Sequence, residues 1–175
     1  PATQNFYALD NTENSVAASF DIKPTQPLRM KLGYLGEDRQ YKYRLARSLD
    51  GTEIPNQRRR FWTNVYDLSA SWNLKRWTAK IGTSLEQRRD RYQGYYNSVQ
   101  KELAGSLSLA LSSNAQVKVG LERSWKDYER LVIAGNVLSN RYLTFEAGIS
   151  FSLWRSLALQ TSFIHDRENS TFETF

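Results

Sequence analysis

Residues 143–153 read Leu-Thr-Phe-Glu-Ala-Gly-Ile-Ser-Phe-Ser-Leu: Leu143, Phe145, Ala147, Ile149, Phe151 and Leu153 alternate without a break with Thr144, Glu146, Gly148, Ser150 and Ser152. A period of two belongs to an extended strand, whose successive side chains point to opposite faces of a sheet. The same alternation recurs on either side. Residues 157–163 follow it with Leu157, Leu159, Thr161 and Phe163 on one side, and residues 103–111 and 117–121 precede it with Leu103, Leu107, Leu109, Val117, Val119 and Leu121. Further back, residues 66–74 and 77–85 carry Tyr66, Leu68, Trp72, Trp77, Ile81 and Leu85, and residues 15–23 and 28–34 carry Val16, Phe20, Ile22, Leu32 and Tyr34. Eight strands are predicted, each with one face free of charge and mostly apolar.

Tight turns are expected near Thr25-Gln26, Lys75-Arg76, Ser113-Asn114 and Trp154-Arg155, which join the strands in pairs. Between the pairs lie long polar stretches at 36–60, 87–97 and 124–141, expected to be loops. The expectation is therefore a single all-β domain over residues 1–175, with short turns at one end of an antiparallel sheet and long loops at the other. Residues 5–10 resemble the loop-side end of a strand. Asn169, Thr171 and Glu173, ahead of Phe175, resemble the beginning of another, so eight full strands and two partial ones are expected.

Composition narrows the function classes. The 175 residues include 24 Lys and Arg against 18 Asp and Glu, a single His and no Cys, for a net charge of +6. No apolar run is long enough for a transmembrane helix, and the opening residues lack a basic segment followed by an apolar one, as a processed exported chain also would. Without Cys there is neither a disulfide framework nor a thiolate metal site. With His165 alone, a His-based metal cluster or a Ser-His-Asp triad has almost no material. His165 stands beside Asp166 with Ser162 three residues earlier, but no nucleophile motif accompanies them. No cofactor, no metal and no enzymatic activity are expected. Nucleic-acid binding is not expected either, because the strand aromatics fall on the apolar faces and not among the basic residues.

Alternation suits two architectures. A soluble sandwich or barrel turns its apolar face inward, whereas an outer-membrane barrel turns it to lipid and its polar face to the lumen. Three features favour the second. The non-apolar face is rich in small residues (Gly82, Ser84, Ala104, Ser106, Gly120, Ser150), which suits a crowded interior. Aromatic residues mark the ends of the apolar stripes, with Trp72, Trp77, Phe151 and Trp154 by the turns and Tyr34, Tyr66, Trp125, Phe145 and Phe163 towards the loops. The connections alternate between short and long, as periplasmic turns and extracellular loops do. An antiparallel transmembrane β-barrel, or a contiguous part of a larger one, is the expected fold.

The repeated unit of turn, alternating strand and loop opening on acidic and Arg residues (Glu37-Asp38-Arg39, Glu86-Gln87-Arg88-Arg89, Glu122-Arg123, His165-Asp166-Arg167) resembles the outer-membrane β-barrel porins of Gram-negative bacteria. Within that group it is most similar to barrels associated with exopolysaccharide export, residues 162–170 being the most family-like segment. The resemblance implies the cell outer membrane as location and membrane lipids as surroundings. It also implies polysaccharide or another anionic solute as cargo, and other subunits of a secretion complex as partners. Candidate lumen-lining residues are Arg29, Lys31, Lys80, Glu86, Lys118, Glu122 and Glu146, read either as a mutually neutralising ladder or as a polar path for solute. A basic loop cluster of Arg58, Arg59, Arg60, Arg88 and Arg89, with Arg44 and Arg47, could grip acidic polysaccharide or lipid phosphate, or simply pair with Glu37, Asp38, Glu86 and Asp127.

Overall fold

A computed structural model describes residues 11–133, 135–154 and 157–170. The chain is all-β. Eight strands, β1 (Asn11–Thr25), β2 (Leu28–Arg47), β3 (Glu53–Leu74), β4 (Trp77–Asp90), β5 (Ser98–Ala110), β6 (Ala115–Ile133), β7 (Asn136–Trp154) and β8 (Leu157–Ser170), form one antiparallel sheet. Their order in the sheet is their order in the chain, with no crossover. The sheet is open: β1 and β8 are its edges, each paired on one side only among the described residues.

The long polar connections expected from sequence are mostly strand. β2 continues to Arg47 and β3 begins at Glu53, leaving residues 48–52 as a turn. β6 and β7 likewise run up to residues 133 and 136, and only 91–97 is a loop of any length. Ladder hydrogen bonds need backbone, not apolar side chains, so pairing persists where both faces have become polar. β-bulges accompany these extensions, between Gln40 and Leu45 and between Asp127 and Val132. Asn169 lies inside β8 opposite Arg141, so it does not open a ninth strand. Residues 5–10, Thr171, Glu173, Phe175 and Arg155 lie outside the described residues.

The register places the alternating faces in continuous rows. Ile22, Met30, Ala70, Ile81, Gly105, Leu121 and Phe145 follow one another across seven strands on the apolar side. Another row holds Leu28, Trp72, Ala79, Leu107, Val119, Ala147 and Phe163. This second row also shows a stagger. Leu28 is the first residue of β2, Trp72 lies two before the end of β3, Leu107 three before the end of β5, and Ala147 seven before the end of β7. The turns thus step along the sheet by about one residue per strand. With a rise of about 3.3 Å per residue and strands about 4.8 Å apart, the strands lean about 35° from the perpendicular to the line of turns. Backbone bonds hold the steps. The turn carbonyls of Pro27, Arg76 and Asn114 each accept from the following hairpin, from Asn73 N, Ala110 N and Ser152 N, all at 2.8 Å.

Little of the sheet is covered. Among the described residues the buried apolar side chains are Ala46, Phe61 and Tyr95, all at the loop end, while Phe20, Trp72, Ile81, Leu121 and Phe163 are all more than half exposed. The accessible surface is 12849 Å², against about 8,800 Å² for a compact monomer of this mass.

Candidate functional site

The polar side of the sheet carries the charges, and its register sorts them. One row runs Arg29, Ser71, Lys80, Ser106, Gly120, Glu146; the next runs Lys31, Ser69, Gly82, Ala104, Glu122; the next runs Gly33, Asp67, Ser84, Glu102. Arg29, Lys31 and Lys80 therefore gather at the turn end of β2–β4, around Ser69 and Ser71. Asp67, Glu102 and Glu122 lie closer to the loop end. Small residues separate the charges, because only Gly, Ala and Ser leave room for long side chains from neighbouring strands.

Some of these charges are paired. Arg29 Nε donates to Asp21 Oδ1 at 2.9 Å and Oδ2 at 2.8 Å, Lys118 Nζ meets Glu146 Oε2 at 2.7 Å, and Arg88 meets Glu86 at 3.2 Å. Lys31, Lys80, Asp67, Glu102 and Glu122 form no ion pair among the described residues. Of the sequence-predicted lumen residues, the structure brings Arg29, Lys31 and Lys80 together and Lys118 to Glu146. Glu86 and Glu122 stand apart from both groups.

The basic loop cluster is neither in a loop nor one cluster. Arg58, Arg59 and Arg60 belong to β3, and Arg88 and Arg89 to β4. Strand alternation divides them. Arg60 lies on the apolar side with Trp62 and binds Asp38 through Nε at 2.8 Å. Arg89, on the same side, reaches Glu129 at 2.6 Å. Arg58 lies opposite Leu45. Arg59 and Arg88 emerge on the polar side with Phe61. Asn97 and Arg89 hold the Glu129 carboxyl below its ordinary range. His165 is likewise separated from its supposed partners. It pairs with Phe145 on the apolar side, whereas Ser162 and Asp166 lie opposite Gly148 and Thr144 on the polar side.

No family model, curated protein or solved structure matches this chain.

The sequence reading missed a compact aromatic–arginine cluster on the polar side at the loop end. Gly94, at φ +78°, turns the 91–97 loop, and Asn97 closes it by accepting from Asp90 N at 2.8 Å and donating from its own N to Gly94 O at 3.1 Å. Tyr95 and Tyr96 then stand edge-on to each other at 4.9 Å, and Phe61 stands edge-on to Tyr96 at 5.9 Å and to Tyr41 at 6.0 Å. Arg59 stacks over the Tyr96 ring at 4.2 Å and donates to a Tyr hydroxyl at 2.8 Å, that of Tyr96 itself. Arg88 lies 5.6 Å from the Phe61 ring. Burial, together with the nearby charges of Arg44 and Arg47, lowers the Arg59 pKa. The signal in the sequence was the pair Tyr95-Tyr96 behind a glycine, in a stretch with no alternation to draw attention to it.

On the apolar side a second pattern marks the boundary between apolar and polar rows. Tyr34 and Tyr66 pack with ring centroids 5.3 Å apart. Asn64 Oδ1 accepts from Tyr34 Oη at 2.9 Å and from Trp62 Nε1 at 3.0 Å, so both aromatic tips turn to one polar partner. The same row continues through Leu85, Lys101, Trp125 and Arg141, and Arg123, one row nearer the turns beside Leu103, lies over the Trp125 ring at 4.8 Å.

Proposed function

We propose that this sheet is the wall of an antiparallel transmembrane β-barrel in a Gram-negative outer membrane, and that the barrel is a porin-like channel for hydrophilic or anionic solutes, secreted polysaccharide among them. One observation carries the reading: a mostly apolar face, with uncharged rows seven strands wide, runs across the sheet and is exposed, while the described residues have almost no buried core. In water such a face is a large aggregation liability; in lipid it is the required surface. The apolar stretches at 66–74 and 77–85 are nine residues long. At about 3.3 Å per residue and a lean of about 35°, they span about 24 Å, close to the height of an outer-membrane apolar band. The Tyr34 and Trp62 tips meeting Asn64, with Tyr66 packed on Tyr34, suit an aromatic girdle at its upper edge.

The open edges of β1 and β8 bear on barrel size. No unpaired strand edge is tolerated in hydrocarbon, so in a membrane both must be paired, with each other, with further strands or with another copy. A larger barrel has a wet interior, and the Arg29–Lys31–Lys80 group then biases its turn-side mouth towards anions. A second reading, a filled barrel that anchors a surface or periplasmic complex, draws on the Lys118–Glu146 and Arg29–Asp21 pairs and on the aromatic cluster over the polar face. Spin labels in membrane-reconstituted protein test the placement: Leu107, Leu109, Val119, Phe145 and Ile149 should be lipid-accessible, and Ser106, Ser108, Gly120 and Ser150 water-accessible. Water contact at the first set would refute the membrane reading. Conductance in planar bilayers separates channel from anchor.

A further inference from the structure

At the loop end of β2 and β3, three guanidinium groups stand together without enough negative charge. Arg39, Arg60, Arg89 and Arg141 of the same region each reach a carboxylate at hydrogen-bond distance. Arg44 and Arg59 reach none among the described residues, and Arg47 has only Glu53 at 3.7 Å. Arg44 lies over the Tyr41 ring at 5.3 Å and Arg59 over the Tyr96 ring at 4.2 Å, so two aromatic faces hold two guanidinium planes in place. The Nε atoms of Arg47 and Arg59 are shut off from solvent with no acceptor. Desolvating a cation beside two others is unfavourable unless an anion completes the site. Fixing its fork on a ring, however, readies it for bidentate capture of an oxyanion.

We propose that Arg44, Arg47 and Arg59, positioned by Tyr41 and Tyr96, form a binding site for the oxyanion group, carboxylate or phosphate, of a solute. The inference rests on the channel reading and gives the loop-side mouth its own selectivity element, distinct from the turn-side lysines. Arg59 is the central ligand because its orientation is fixed by both ring and hydroxyl. The anion approaches from the polar face and is held by the guanidinium Nη groups, its charge offsetting the cost of the shut-off Nε atoms.

The test uses the full chain in detergent micelles, titrated calorimetrically with two probes, tricarballylate for carboxylate and pyrophosphate for phosphate. At least one should bind, and binding should weaken as salt shortens the Debye length from about 10 Å at 0.1 M to about 3 Å at 1 M. Arg59→Gln should weaken it about tenfold or more, the loss of a charge-assisted contact. Arg59→Lys, which keeps the charge but not the fork, should fall between. Lys75→Gln, in the β3–β4 turn, makes the same change in net charge and should leave binding intact. Tricarballylate bound alone identifies the carboxylate source, and pyrophosphate alone the phosphate source. Failure of both probes to bind wild type, or equal losses in Arg59→Gln and Lys75→Gln, would overturn the site. Planar-bilayer conductance is recorded in parallel. Conductance without anion binding removes the site alone, and anion binding without conductance removes the channel reading alone.

Discussion

Leu107 and Leu103 form a matched pair for testing whether a membrane surrounds the sheet. Both lie on the apolar side of β5, and their exposures are similar, 41% and 48%. Leu107 is flanked by Ala79 and Val119, and Leu103 by Thr83 and Arg123. On a sheet in water, Arg at two such exposed sites would cost within about 0.5 kcal/mol of nothing at either. In a bilayer the two sites differ in depth. Four residues at about 3.3 Å each, leaning about 35°, separate them by about 11 Å along the membrane normal. Leu107 falls near the midplane and Leu103 near the upper boundary, beside Arg123. Leu107→Arg should therefore cost about 2–4 kcal/mol and Leu103→Arg about 0–1 kcal/mol. Ser106→Arg, on the polar side one residue away, should cost less than Leu107→Arg. Equilibrium urea unfolding from lipid vesicles, followed by the fluorescence of the 5 Trp residues, measures all three. Equal costs at Leu103 and Leu107 would refute the reasoning, whether both are negligible, as on a wet surface, or both large, as in a protein core.

Protease tags inserted at Gly51 and Gly135, left-handed positions at φ +86° and +83° in the two long hairpins, should be cleaved on intact cells. A tag at Ser113, in the short β5–β6 turn, should be protected until the periplasm is opened, and cleavage there would invert the topology. The Ser48 hydroxyl, with Thr52, holds the Asp50 carboxyl at about 2. Since this lies below the unfolded value of about 3.9, the stabilisation of the 48–52 turn is complete above that value and lost as pH falls through about 2. Intrinsic-rate-corrected amide exchange at Thr52 should rise over that window, and Asp50→Asn should abolish the dependence; a flat profile in wild type would contradict it. In planar bilayers Lys80→Glu should shift selectivity towards cations more than Arg29→Glu does, because the Arg29 charge is already offset by Asp21. An equal shift, or none, would show that the turn-side group does not set selectivity.

The sheet was legible wherever one face is apolar. Residues 143–153 alternate so regularly that strand, face and hairpin partner follow from the period alone. Legibility stopped where that contrast stopped. From Gln40 to Arg44 the alternation changes phase, Tyr41 and Tyr43 falling on the side that carries Arg29 and Lys31 lower in the strand, so β2 looked like a loop although its backbone runs on to Arg47. For the same reason Arg58, Arg59 and Arg60 read as one basic patch, when alternation sends Arg59 to one side and Arg60 to the other. The division of the polar face into a basic corner and an acidic row depends on register, on Lys80 lying opposite Ser71 and Asp67 opposite Ser84. A single sequence carries no direct record of that pairing. The Phe61–Tyr96–Arg59 cluster depends on the 91–97 loop folding over a strand more than thirty residues earlier in the chain, and no local pattern announces such a contact.

Because every strand pairs only with its neighbours in the chain, each hairpin is a module joined to the rest by a repeated rule: a step of about one residue and a carbonyl handed from one turn to the next strand. Nothing must be rethreaded to add or remove one. A duplicated hairpin would widen the sheet by two strands and leave the lean and the apolar band as they were. If the sheet closes into the proposed channel, pore diameter becomes a countable quantity, adjustable by gene duplication in increments that preserve every existing contact except those at a single seam.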